Sequence, residues 1–198
     1  MNPTIDCIRT STVDKTFITA QELLRDSFWL ARQVVESGFK PNFIIGVWRG
    51  GAPVGIAIQE YLDFVGIETD HIAIRTSSYL GIDKQDKTVR VHGLDYIIDN
   101  INADDRVLLV DDVFDSGRSL VAVLERLRKK TRRNMPDDIR IACPFYKPTR
   151  NKTDIKPDYF VHETDDWLVF PHELDGLSKE EILQGKPELA DTLEGFLD

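Results

Sequence analysis

The chain has 198 residues, 41% hydrophobic and 30% charged, with a formal net charge of -9; that suits one α/β domain with a full core rather than a disordered segment. The acidic balance speaks against a broad nucleic-acid surface, which needs clustered Lys and Arg, and the longest apolar run is far short of a membrane span. Neither nucleic acid nor membrane is therefore expected as a partner, and with no apolar leader between Met1 and Phe17 the expected location is cytoplasmic. Two cysteines, Cys7 and Cys143, are too few for a disulfide framework or a thiolate metal site and read as structural.

Along the chain, Thr19 and Glu22 form a capping box ahead of Leu23, Leu24, Phe28, Ala31, Val34 and Val35, which recur at helical spacing until Gly38. Phe43 to Val47 reads as a short apolar strand broken by Trp48-Arg49-Gly50-Gly51, and Pro53 falls in the first turn of a helix through Tyr61. His71 to Arg75 alternates like a strand, whereas Thr76 to His92 turns polar and reads as a long mobile loop. Val107 to Val110 is a continuous apolar strand of the kind buried on both faces of a parallel sheet, followed by a polar loop and a helix from about Ser119 to Lys130. The basic run Arg126 to Arg133 suits the solvated C-terminal end of that helix. Further strands are expected at Ile139 to Tyr146 and Tyr159 to Val161, an apolar patch at Trp167 to Phe170, and weak helix from Ser178 to Asp198. Strands alternating with helices imply an α/β fold with a doubly wound, mainly parallel sheet, whose ligands lie beyond the carboxyl ends of the strands.

The loop Asp111-Asp112-Val113-Phe114-Asp115-Ser116-Gly117-Arg118-Ser119 carries the most chemistry. Asp115 to Ser119 places backbone N–H groups, Gly117 and two hydroxyls before a helix start, an arrangement that holds a phosphate. Asp111 and Asp112 would repel it: two unit charges about 4 Å apart cost on the order of 4 kcal/mol at an effective dielectric near 20. Sugar hydroxyls, which donate to carboxylates, or a divalent cation would resolve the conflict, so a sugar phosphate with a metal satisfies every group. The bland alternative is a polar connection in which Asp115 or Ser116 merely caps the helix. A receiver domain would begin near such a strand, but a hundred residues precede this one, and a dehalogenase-type phosphatase needs an Asp-x-Asp that Asp111-Asp112-Val113 lacks.

Val107 to Leu120 resembles the motif that binds 5-phosphoribosyl 1-diphosphate (PRPP) in type I phosphoribosyltransferases, and its Asp-Ser-Gly-Arg-Ser variant resembles the branch acting on 6-oxopurines. The resemblance runs from about Thr19 to Glu173 and implies a family role for each matching residue. Asp111 and Asp112 would reach the ribose hydroxyls and hold Mg2+; Asp115, Ser116, Gly117, Arg118 and Ser119 would hold the 5-phosphate, with Asp115 near purine N7 as general base. Arg49 and Gly50 match the pyrophosphate loop, where the preceding peptide is often strained or cis; Trp48 is bulkier there than the family pattern. Ser78 and Tyr79 match the flexible loop that closes over PRPP, with Lys87 or Arg90 as candidates to add charge to the pyrophosphate. Lys147 matches the lysine that donates to the oxygen at purine C6, Trp167 the aromatic that stacks on the base, and Leu168 the residue whose backbone faces C2; His172 stands where relatives often have Trp. The implied organisation is a single phosphoribosyltransferase domain over residues 1–198, with a core at about 19–147, a hood at about 148–175 plus N-terminal residues, and an extension at 176–198. The implied activity is transfer from PRPP to N9 of hypoxanthine, xanthine or guanine, in a homo-oligomer, dimer or tetramer. The alternatives are a phosphoribosyltransferase for another base and a PRPP-sensing regulator without transferase activity.

Overall fold

Parallel strands buried on both faces set the frame. The computed structural model describes residues 15–80 and 87–196; Cys7 lies outside them. β1 (Lys15–Phe17) leads into α1 (Ala20–Glu36), then β2 (Phe43–Trp48), α2 (Gly51–Phe64), β3 (Asp70–Leu80), β4 (Lys87–His92), α3 (Asp95–Asn100) and β5 (Arg106–Val110). The chain continues through β6 (Val113–Phe114), α4 (Arg118–Thr131), β7 (Asp138–Tyr146), β8 (Tyr159–Glu163), β9 (Trp167–Val169) and α5 (Lys179–Gly185). The main sheet runs β4-β3-β2-β5-β7, and β6 and β8 both pair with β7; every pairing is parallel except β3 with β4.

β2 and β5 lie side by side at the centre, in register from Phe43 opposite Val107 to Gly46 opposite Val110. Ile45, Val107, Leu108, Leu109 and Val110 are wholly buried, which is why both strands read as unbroken apolar runs. α1 starts on the expected box: Glu22 N–H donates to Thr19 Oγ1 at 3.2 Å and Thr19 N–H to Glu22 Oε2 at 2.9 Å. Its buried stripe is Leu23, Asp26, Ser27, Leu30, Ala31 and Val34, while Leu24 and Phe28 face outward. The basic run does close α4, with Arg128, Lys129 and Lys130 in the last turn, and Cys143 is a buried free thiol whose pKa burial pushes well up.

The expected loop from Thr76 to His92 is corrected. β3 continues to Leu80 and pairs antiparallel with β4, Arg75 opposite His92 through Leu80 opposite Lys87. Its polar residues mislead because an antiparallel edge strand keeps a solvated face and tolerates Thr, Ser and Lys there. The connection 81–86 lies outside the described residues. α3 has no counterpart in the sequence reading, since six residues are too few to show a period.

The described residues form two compact units, one within 19–165 and one made of 15–18 with 166–196. In the smaller one β1 and β9 make a parallel pair, Thr16 opposite Leu168. The C-terminal stretch packs in this unit. α5 opens on a second capping box, Ser178 with Glu181, and Glu181 also takes Lys15 Nζ at 2.7 Å. Buried Lys186 donates to the carbonyls of Phe170 at 2.6 Å and Pro171 at 3.0 Å, and burial lowers its pKa.

Candidate active site

Three chain segments meet at the carboxyl ends of β2, β5 and β7. Beyond β5, the Asp111 N–H donates to the Ala142 carbonyl at 3.2 Å, and the Asp112 N–H donates to Asp111 Oδ1 at 3.0 Å. Asp112 is 8% exposed. Burial, and then the charge of Asp112, pushes the Asp111 carboxyl well above the usual carboxylate range, against the backbone N–H groups of Asp112 and Gly51, which favour its ionised form.

The turn after β2 is shaped around these acids. A Cβ added to Gly50 would fall on the Asp112 carboxylate, and one added to Gly51 on the Val110 carbonyl oxygen. The Trp48–Arg49 peptide is cis. Arg49 is exposed, and Trp48, 56% exposed, borders a small apolar cavity with Ile56 and His71. Arg49, Gly50, Asp111 and Asp112, far apart in sequence, are thus brought to one edge of the sheet.

After the two-residue β6, the loop reaches Gly117 in left-handed conformation, φ 74°. Gly117 is the N-cap of α4 without a side-chain hydrogen bond, and Gly50 precedes α2 likewise. Neither Asp115 nor Ser116 therefore serves as the helix cap. α1 and α5 are sealed by Thr19 and Ser178, whereas the N-cap glycines Gly50 and Gly117 offer no side chain. At α2 the Gly51 N–H turns to the Asp111 carboxylate, and at α4 the missing side-chain cap is the condition under which a helix start receives an anion. Asp115, Ser116, Arg118 and Ser119 line a cavity of about 470 Å3 together with Val89, Thr149, Arg150 and Lys152.

The segment after β7 holds this loop. Lys147 N–H donates to the Phe114 carbonyl at 2.9 Å and Lys152 N–H to the Ser116 carbonyl at 3.1 Å. Lys147 is 5% exposed, and its Nζ stands 3.8 Å from Asp115 Oδ2, while Arg150 Nε is 3.1 Å from Asp115 Oδ1. Arg150 escaped the sequence reading. Its only signal is Pro148, which opens a 3-10 turn over Pro148–Arg150 and carries the arginine back toward the loop.

Ser78 and Tyr79 lie on β3 rather than on a loop, opposite Val89 and Thr88, and Val89 lines the cavity of Asp115. Arg90 lines a neighbouring groove with His92, Arg126 and Lys129; the Lys87 side chain lies outside the described residues. Trp167 and Leu168 belong to the smaller unit: Trp167 is 51% exposed, unlike a core anchor, and Leu168 is buried. His172 stacks on Phe170 with ring centroids 5.8 Å apart. Among the described residues no three His, Cys, Asp or Glu converge as a metal cluster.

A family model described as phosphoribosyl transferase domain matches residues 17–177. The chain belongs to that family. It is 26% identical over 183 residues to the bifunctional protein PyrR of Corynebacterium diphtheriae, covering 86% of this chain and 94% of that protein. It is 27% identical to the hypoxanthine-guanine phosphoribosyltransferase of Lactococcus lactis, over 74% of this chain and 75% of the relative. The crystal structure of a purine phosphoribosyltransferase from Pyrococcus horikoshii superposes with a TM-score of 0.62 at 33% identity, covering 82% of this chain and 97% of that one. Phosphoribosyl transferase domains thus supply the framework for the acidic loop, the glycine turn and the Lys147 segment, and no helix among the described residues is long and apolar enough to cross a membrane.

Proposed function

We propose that the protein transfers the 5-phosphoribosyl group from PRPP to N9 of a 6-oxopurine, giving a nucleoside monophosphate and pyrophosphate. The observation that carries this reading is the order of groups at the carboxyl end of the sheet: buried Asp112 against Gly50 with Asp111 beside it, the start of α4 without a side-chain cap, and Asp115 beside buried Lys147. In the reaction the bond from ribose C1 to the pyrophosphate oxygen breaks, its electron pair leaving with pyrophosphate, while C1 bonds to N9. The proton displaced from the purine imidazole ring passes to Asp115.

Asp111 and Asp112 accept hydrogen bonds from the ribose hydroxyls and fix the sugar as C1 gains positive character; Arg49 meets the leaving pyrophosphate. The residues fit Mg2+. Two neighbouring carboxylates, with no third His, Cys, Asp or Glu converging on them among the described residues, match a cation that would also take oxygens from water and substrate phosphates. Asp111 and Asp112 would hold it, and when bound it would supply positive charge to the leaving group. Ser116, Gly117, Arg118 and Ser119 receive the 5-phosphate, with Ser78 and Tyr79 closing from the side of β3. Lys147 donates to the purine oxygen at C6, Trp167 stacks on the base, and the Leu168 backbone faces C2. The location is cytoplasmic and the assembly a dimer or tetramer.

Pyrophosphate release from PRPP and Mg2+, measured with hypoxanthine, guanine, xanthine and adenine, tests the reading. Oxopurines are expected to react and adenine to react poorly, because a lysine aimed at C6 leaves an amino group unmatched. Lys147→Ala is expected to erase most of that preference, and unchanged discrimination removes the role given to Lys147. The similarity to the bifunctional protein PyrR favours a second reading, a member of the family that serves another base or senses PRPP without transfer. PRPP binding with no pyrophosphate release from any base is its signature.

A further inference from the structure

We propose that Arg150 is a positioning residue that couples the phosphate end of the site to the base. It pairs with Asp115 as seen here, and passes to the 5-phosphate of a bound sugar, freeing the carboxylate to receive the purine. The inference rests on the transferase reading of the site.

Asp115 carries a cation at each oxygen, Arg150 Nε at 3.1 Å and Lys147 Nζ at 3.8 Å. The two cations differ in kind. The Lys147 side chain is 6% exposed and stands at the end of β7, where its backbone is tied to Phe114. The Arg150 side chain is 49% exposed and its partner Asp115 37%, so this pair is of the half-solvated sort that contributes little and exchanges readily. A purine N–H that approaches Asp115 must compete with the guanidinium for Oδ1.

An acceptor for the displaced guanidinium is close at hand. Arg150 and Lys152 line the same cavity of about 470 Å3 as Ser116, Arg118 and Ser119, which meet the 5-phosphate in the transferase reading. A phosphate dianion offers more charge than one carboxylate and accepts the planar guanidinium fork at two oxygens. The backbone does not have to move: Arg150 N–H donates to the Lys147 carbonyl at 3.3 Å, and Lys152 N–H holds the Ser116 carbonyl. Only the long side chain swings. Because the exchange ties phosphate binding to release of Asp115, sugar phosphate and base must each tighten the binding of the other by the same factor.

Calorimetric titration of hypoxanthine into wild type and Arg150→Gln, each with and without saturating ribose 5-phosphate, tests the coupling. Wild type is expected to bind the base about tenfold more tightly with the sugar phosphate, within the usual range for coupled sites. Arg150→Gln is expected to bind the base alone as tightly as wild type binds it with ribose 5-phosphate, and to show no coupling. Its KM for PRPP rises while kcat at saturating PRPP stays near wild type, a split that a merely structural role does not produce. Arg150→Lys, which keeps the charge without the fork, falls between and serves if the glutamine variant does not fold. Wild-type coupling in Arg150→Gln, or base binding weakened equally with and without ribose 5-phosphate, overturns the inference. The transferase reading is separated by the pyrophosphate assay on wild type: release without Arg150-dependent coupling overturns the inference alone, and coupling without release overturns the transferase reading alone.

Discussion

The turns that leave β2 and β5 sit side by side, Gly46 opposite Val110, yet they build their share of the site by opposite means. β5 ends in side chains, the carboxylates of Asp111 and Asp112. β2 ends in their absence, because a Cβ on Gly50 would occupy the place of the Asp112 carboxylate and one on Gly51 the place of the Val110 carbonyl. The glycines of one strand are therefore explained by the acids of the other, and the pair forms one feature. The same division separates the helices. α1 and α5 carry complete capping boxes, while α2 and α4 start at glycines that offer no side-chain cap.

Substitutions on the two sides should break this feature in different ways. Asp115→Asn, on the β5 side, is expected to lower kcat on the order of 10² to 10⁴-fold with PRPP binding near wild type, the range for loss of a positioned general base; near-normal turnover in steady-state assays removes that role. Gly51→Ala, on the β2 side, is expected to act on stability instead. Its Cβ meets backbone atoms of Val110 and Asp111 that cannot step aside, so a loss of about 3 kcal/mol in urea unfolding is expected, the upper part of the overpacking range. Gly50→Ala meets the Asp112 side chain, which can shift, so stability should fall less and kcat/KM by about 10²-fold, typical of a misplaced site. Adding Asp112→Ala should then restore the unfolding midpoint without restoring activity, and additive losses in that double-mutant cycle would separate the two turns.

The smallest effect tests the contrast with the capped helices. Thr19→Ala is expected to cost about 1 kcal/mol of stability with kcat unchanged. The Thr19 backbone N–H, then its hydroxyl, holds the Glu22 carboxyl below its usual range. A depressed carboxyl pKa contributes stability above the unfolded value that is lost as pH falls through the folded one. The gap between variant and wild type should accordingly narrow on acidification, as read by thermal unfolding across pH.

Local chemistry carried much of this into the sequence. The capping box at Thr19, the buried run Val107 to Val110, and the crowding of three carboxylates, two serines and a glycine before a helix depend on neighbours in the chain, so they can be recognised without a fold. Thr76 to His92 went astray because strand and loop share the same polar residues at a sheet edge, and only pairing with a second strand distinguishes them. Arg150 went unnoticed for a related reason, since a surface arginine acquires meaning only from the carboxylate that folding brings to it.

By itself, then, the sequence determined an α/β protein with a loop of acids, serines and a glycine at a strand end, because hydrophobic period and clustered polar groups are properties of contiguous residues. Tertiary structure alone decided that Gly50 lies against Asp112, that Lys147 and Arg150 close on Asp115, and that α5 belongs with β1. These contacts join residues 32 to 166 positions apart, and no local preference encodes which distant group will be there.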